Sequence, residues 1–261
     1  MKTLQFSSEP EFAELWDFCV HNLLYNKDTY VREVIDLFNS INISDKSRIL
    51  DTCAGTGFIS LYLREKGFDV DCADLMLDEI KVFQKRARLL GVDDSIEQLS
   101  WKNIPQKYTP SRYDLLFCRG NSFIYADGGW NKDQVVNRES SLDSYKETLR
   151  IFYKILKDGG YLYIDKFPDN EMNSNKIVAK IRVGNNEEDL IFYTERFPEK
   201  RLRKASMIRK NKHGKEIVVP NITYDLSESE LEKMLSEVGF RKIQRIRLDS
   251  EKHFVTWLAQ K

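Results

Sequence analysis

The sequence predicts a doubly wound α/β fold, an open parallel sheet with helices on both faces, carrying an inserted antiparallel patch. Three observations predict it. Strand and helix signals alternate between residues 48 and 166, as successive parallel β-α-β units require. Glycines follow the helical stretches, at Gly67, Gly91 and Asp158-Gly159-Gly160, where left-handed caps belong. Finally, the apolar run Ile49-Leu50-Asp51 breaks into Thr52-Cys53-Ala54-Gly55-Thr56-Gly57 and opens directly onto a helix, which is where such sheets hold a nucleoside-type ligand.

Taken in order, Phe12, Leu15, Trp16, Cys19, Val20 and Leu23, then Val31, Val34, Ile35 and Phe38, recur at helical spacing and predict two amphipathic helices before the first strand. The alternating core follows: strand 48–53, helix 57–67, strand 68–73, helix 75–90, a short strand near 95–99, strand 113–118, helix 139–156 and strand 160–166. Beyond Pro168 the pattern changes. Leu190–Thr194, Lys204–Ile208 and Glu216–Val219 read as antiparallel strands joined by turns at Gly184-Asn185-Asn186 and Lys212-His213-Gly214. Ser227-Glu228-Ser229-Glu230 is a capping box that opens a helix ending at Gly239. Strands 241–248 and 252–259 close the chain. The expected organisation is therefore N-terminal helices over 1–45, an α/β core over 46–174, an antiparallel insertion over 175–224, and a closing helix and hairpin over 225–261.

With 261 residues, the chain can bury a sizeable core, and its 41 basic and 41 acidic side chains argue for no particular charged partner. Cys19, Cys53, Cys72 and Cys118 lack metal-ligand spacing and read as reduced thiols; no metal is expected. The first residues lack a signal pattern and no stretch nears the roughly 20 apolar residues of a membrane span. A soluble, cytoplasmic protein is the expectation.

The glycine loop narrows the ligand. A dinucleotide fold needs a third glycine, but Phe58-Ile59-Ser60 follows Gly57, and no Gly-Lys-Ser/Thr supports a phosphate loop. Asp74, at the end of the next apolar segment, stands about 20 residues beyond the loop, the distance of an acid that bonds ribose hydroxyls. Asp51, Gly55 and Gly57 thus resemble the first motif of the class I S-adenosylmethionine (SAM) methyltransferases, whose seven-stranded, Rossmann-like sheet the chain would share. Cys118-Arg119-Gly120-Asn121-Ser122-Phe123 further resembles the glycine and sarcosine N-methyltransferase subgroup and the small-amine and aminosugar N-methyltransferases. The base-amine and base-carbon methylation motifs are absent at this loop.

This resemblance implies SAM as cofactor. It implies cofactor contacts from Asp51, Ala54, Gly55, Thr56 and Gly57, from Asp74, Leu75 and Met76, and from Cys118 and Arg119. Tyr25, Asp28, Thr29 and Arg32 match the subgroup's N-terminal cofactor lid: Arg32 would pair with the SAM carboxylate and Tyr25 would lie near the sulfonium. Ser100 and Trp101 would border the adenine, and Asn121 would touch the substrate. The chain departs from the glycine-methylating enzymes after its fifth strand, where Lys166-Phe167-Pro168 replaces an arginine that clamps a carboxylate. A larger amine is expected, walled by Phe167, Tyr125, Tyr224 and Trp130, with Lys166 as a point charge.

An amine that arrives neutral needs alignment more than a base. Transfer to oxygen, on a sugar or phenolic metabolite, is the alternative, and His21 is the histidine that would serve it as base. The basic segments Lys200–Lys204 and Arg209–Lys215 suggest RNA contact on one reading and solvated hairpin tips on the other, the latter making nucleic acid an unlikely partner. A SAM-binding regulator without turnover is a further reading. Asp127-Gly128-Gly129-Trp130 reads equally as a mobile lid or a long connection. Tyr161 and Tyr163 read as sheet-face core. The acceptor and the oligomeric state are left open.

Overall fold

A computed structural model describes residues 3–6, 10–128, 136–170, 173–211, 214 and 216–261. Its elements run β1 (Thr3–Phe6), α1 (Phe12–Cys19), a π-helical turn (Val20–Leu24), α2 (Lys27–Ser40), β2 (Arg48–Asp51), α3 (Ser60–Glu65), β3 (Asp69–Asp74) and α4 (Leu77–Leu90). They continue with β4 (Glu97–Gln98), α5 (Ile104–Lys107), β5 (Tyr113–Cys118), α6 (Arg138–Ile155), β6 (Leu156–Lys166), β7 (Ser174–Val183) and β8 (Asn186–Phe197). Last come β9 (Leu202–Asn211), β10 (Glu216–Tyr224), α7 (Glu228–Val238), β11 (Arg241–Ile246) and β12 (Val255–Gln260).

Seven strands form the core sheet in the order β11-β12-β6-β5-β2-β3-β4. Strands β6, β5, β2, β3 and β4 pair in parallel, and β12 runs antiparallel to both β6 and β11. The order reverses between β2 and β5, so the crevice for a ligand opens at their carboxyl ends. Both faces are covered at the centre of the sheet, which is why β2 and β5 are apolar through the middle of their length, whereas the outer β3 and β4 carry Asp69, Asp71, Glu97 and Gln98. Leu116 of β5 packs with Tyr145, Leu149 and Phe152 of α6 and Leu231 of α7. Its neighbours Leu115 and Phe117 face the opposite way, toward Val34 and Phe38 of α2 and Phe83 of α4. The period-2 alternation of the strand sorts the two layers.

Local signals set the helix limits. The Asn26 side chain accepts from Thr29 N at 3.1 Å to start α2, and the Ser227–Glu230 box starts α7, which stops at Gly239 with φ +115°. Helix α6 ends at Ile155, and β6 begins at once at Leu156, four residues before the strand start read from the sequence. Gly160 lies within that strand, where a Cβ would come within 3.1 Å of the Tyr113 and Asp114 carbonyls.

The insertion is a second sheet in the order β1-β7-β8-β9-β10. One correction concerns its edge: a strand precedes the two N-terminal helices, with Thr3–Phe6 pairing in parallel with Lys180–Val183. Helix α1 packs on the same sheet, Leu15 and Cys19 lying against Ala179, Ile181, Leu190 and Met207. The expected turn residues Lys212 and His213 lie outside the described residues.

Candidate active site

Where the sheet order reverses, a cavity of about 1090 Å³ opens between the β2 and β5 loops and continues to the second sheet. Asp51, at the end of β2, is buried and already satisfied. Its carboxylate accepts from Ser60 Oγ and, at 3.2 Å, from Cys53 N, so it shapes the loop while forming part of the wall. The two loop glycines separate. Gly55, φ +54°, lines the cavity. Gly57, φ +87°, does not: its Cβ position lies 2.6 Å from Leu61 Cδ1 and 2.8 Å from Phe83 Cδ2. Gly57 therefore allows α3 and α4 to close under the loop and does not line the cavity, where the resemblance implied a cofactor contact.

Asp74 ends β3 against that loop. Its carboxylate accepts from Gly55 N and Met76 N, each at 2.8 Å, and burial raises its pKa. Leu75 and Met76 lie on the exposed rim. Ser100 and Trp101 complete this end, with Trp101 Nε1 donating to Thr52 O at 2.7 Å. Ala54 and Thr56 also line the cavity.

At the end of β5, Cys118 is fully buried in the core and does not line the cavity, although the resemblance implied a cofactor contact there. Arg119 is at the cavity. Its guanidinium lies 4.9 Å from the Tyr30 ring centre and 5.7 Å from that of Tyr25, and Nη2 is 3.6 Å from Glu251 Oε1. Its buried Nε has no partner among the described residues. Glu251 also accepts from Tyr30 Oη at 3.1 Å, Thr256 Oγ1 at 3.1 Å and Tyr163 Oη. Tyr25 lines the cavity, stacked on Phe58 at 4.8 Å.

Arg32 is not brought there. Tyr30, Val31, Val34 and Phe38 form the buried face of α2, and this phase turns Arg32 to solvent. His21 is also off the cavity: Nδ1 bonds Asp17 O at 2.9 Å, and the ring stands edge-on to Phe58 at 5.0 Å. The histidine that reaches the cavity wall is exposed His253.

Asn121 has φ +60° and is buried. Asp165 accepts from Gly120 N at 2.9 Å and Asn121 N at 2.6 Å, and Asn121 Oδ1 accepts from Phe167 N at 3.0 Å. The asparagine thus joins the β5 and β6 loops on the cavity wall. Burial and Glu251 push Asp165 up to about 7, against the pull of Arg119.

Tyr125 and Phe167 line the cavity, Phe167 under the Arg203 guanidinium at 4.0 Å. Lys166 and Tyr224 do not. Lys166 Nζ donates to Phe167 O at 2.6 Å and Asp169 Oδ1 at 2.8 Å. Tyr224 is tied to Glu230 and Arg138. Both side chains are therefore engaged away from the cavity, not on the acceptor wall where the expectation put them. Trp130 and much of the expected lid lie outside the described residues.

Sequence reasoning missed Glu79, Glu251 and the share of the wall supplied by α1 and the second sheet: Phe12 and Trp16 from the helix, Phe192, Thr194, Met207 and Asn221 from the strands, and Asn173 just before β7. Glu79 carried a signal, a charge at i and i+4 spacing to buried Phe83 and Ala87. Glu251 carried none, since Asp249-Ser250-Glu251-Lys252 reads as a polar turn.

Residues 43–239 match a family model described as a methyltransferase domain. The chain belongs to that methyltransferase family. A glycine/sarcosine N-methyltransferase of Halorhodospira halochloris is 30% identical over 156 residues, 59% of this chain and 51% of that protein. The chain spans about half the length of the curated relatives it matches. Among solved structures, DesVI of Streptomyces venezuelae superposes with TM-score 0.67 at 16% identity, covering 96% of this chain and 98% of its own. SAM-bound CalS10, an amino pentose methyltransferase from Micromonospora echinaspora, gives 0.66 at 13% identity, covering 98% and 99%. At these identities the likeness establishes the fold, the SAM-dependent methyltransferase fold with its seven-stranded sheet.

The cavity suits the cofactor that this family uses. Gly55 leaves room for close approach, Asp74 offers carboxylate oxygens, and the unpartnered Arg119 Nε can receive a carboxylate. Among the described residues there is no group of three or more His, Cys, Asp or Glu able to hold a metal, and no helix long and apolar enough to cross a membrane.

Proposed function

We propose that this chain is a SAM-dependent N-methyltransferase whose acceptor is a small-molecule amine larger than glycine. The observation that carries the reading is the acceptor end of the cavity. The side chain at the position of the glycine enzymes' arginine clamp is Phe167, and Lys166 turns away to Asp169. Beyond Phe167 the space runs on to an apolar wall of Phe12, Trp16, Phe192 and Met207, where the Thr194 hydroxyl has no partner among the described residues. Such a wall suits an acceptor with an apolar portion and a few polar groups.

In this reading Asp74 and Trp101 hold the nucleoside, Arg119 and Tyr25 flank the amino-acid end, and Asn121 and Tyr125 meet the acceptor. Bound there, SAM supplies a methyl group on a sulfonium for in-line displacement by the amine nitrogen. The protein's part is alignment and exclusion of water. Asn121, locked between Asp165 and Phe167, supplies a rigid edge for the acceptor. Tyr25, stacked on Phe58, closes the apolar side. No histidine base is required, which accords with His21 lying behind Phe58.

The arginines of the basic insertion support a small acceptor over RNA. Arg201 pairs with Glu230 at 2.5 Å, Arg209 with Glu188 at 2.8 Å, and Arg203 covers Phe167. The test is incubation with methyl-labelled SAM and a cell extract split into small-molecule, nucleic-acid and protein fractions, with glycine and sarcosine assayed apart. Label on small amines but not glycine is expected. Efficient glycine methylation would overturn the acceptor reading, and label confined to RNA would overturn the proposal.

A further inference from the structure

Glu79 sits in the first turn of α4 with only 8% of its surface exposed, yet it lines the cavity. Its Oε2 has no hydrogen-bond partner among the described residues, and it lies 3.3 Å from the point where a Cβ on Gly55 would stand. Gly55 N is the donor that Asp74 accepts. Two carboxyl groups therefore meet at one glycine, one engaged and one idle. A buried polar atom without a partner is costly to keep, so an idle carboxyl on a cavity wall marks a ligand position.

Resting on the cofactor placement proposed above, we infer that Glu79 is a second ribose-gripping residue, donating its carboxyl O–H to a ribose hydroxyl oxygen while that hydroxyl donates to Asp74. The two acids then have distinct roles, acceptor and donor. The surroundings support a neutral Glu79. The charged groups that act on it are Asp74 on β3, Asp78 on its own helix and Asp17 on α1, and Asp17 is itself held by Arg86; burial first, and these carboxylates next, push its pKa well above the ordinary range. Two ionised carboxylates could not share one hydroxyl at close range. One neutral and one ionised can.

The experiment is calorimetric titration of wild type, Glu79→Gln and Glu79→Met with S-adenosylhomocysteine and with its 2′-deoxy and 3′-deoxy counterparts, beside thermal melts without ligand. Glu79→Gln keeps a donor and should bind within about threefold of wild type, whereas Glu79→Met should bind roughly tenfold more weakly. That loss should vanish for the one deoxy ligand that lacks the gripped hydroxyl. Ligand-free Glu79→Met should melt higher than wild type, because the orphaned polar atom is gone. Equal affinity of Glu79→Met and wild type, or an undiminished loss with both deoxy ligands, would overturn the inference. So would a lower melt for Glu79→Met, as expected of a merely structural carboxyl. Absence of any binding by wild type would instead remove the cofactor placement, and this inference with it.

Discussion

Gly57→Ala should damage the fold rather than the ligand contact. At φ +87° an L side chain costs about 1–2 kcal/mol. The new Cβ would also stand 2.6 and 2.7 Å from Leu61 carbons and 2.8 Å from Phe83 Cδ2. Leu61 and Phe83 are themselves buried, so relief of the clash requires moving α3 or α4, and overpacking of this kind costs about 1–3 kcal/mol. The sum is about 2–5 kcal/mol, or roughly 5–20 °C of melting temperature at about 2–4 °C per kcal/mol for a chain of this size. Gly55→Ala has a similar backbone penalty, but the nearest obstacle is Glu79 Oε2 at 3.3 Å, the far end of a side chain. It should melt closer to wild type and lose S-adenosylhomocysteine affinity instead. The assay is a thermal melt paired with a ligand titration on both variants. A Gly57→Ala melt within about 2 °C of wild type, or Gly55→Ala as the less stable of the two, would refute the division of labour between the glycines.

Asn121→Ala should lower turnover roughly tenfold or more with S-adenosylhomocysteine affinity nearly kept, since the side chain positions the acceptor loop; an unchanged rate on the identified acceptor would remove it from the site. Lys166→Met should destabilise by about 1–3 kcal/mol in urea unfolding, because Asp169 loses its buried partner. The acceptor KM should stay put, and a large KM rise would return Lys166 to the substrate. Asp165 has its pKa raised from 3.8 to about 7 in the folded protein, so the folded state holds the extra proton, and stability is full below 3.8 and lost as pH rises through about 7. Asp165→Asn should flatten that decline in urea unfolding measured across pH 4–7; an unaltered slope would place the proton elsewhere.

The α/β core was legible because its central strands are buried on both faces and α4 and α7 end at Gly91 and Gly239, signals that need no knowledge of distant residues. The loop from Asp51 to Gly57 and the acid at Asp74 were legible as a motif. Spacing alone could not tell that Gly55 lines the cavity and Gly57 faces Leu61, since both glycines answer the same pattern. Arg32 shows the same limit: its offset from Tyr25 fits the cofactor lid, and only the buried phase of Tyr30, Val34 and Phe38 turns it outward. Strand β1 was invisible because its four residues pair with a segment far along the chain. The second sheet's contribution to the cavity was hidden for the same reason, as was the pairing of Arg119 with Glu251.

That last pair has an evolutionary consequence. Glu251 is bound by Tyr30, Tyr163, Thr256 and Arg119, four residues drawn from far-apart stretches of the gene. A lineage that lost the guanidinium alone would strand a buried carboxylate, and one that lost the carboxylate alone would strand a buried cation. Substitutions at 119 and 251 should therefore arrive together or not at all. Descendants in which both became neutral would mark a branch whose cofactor pocket had been rebuilt.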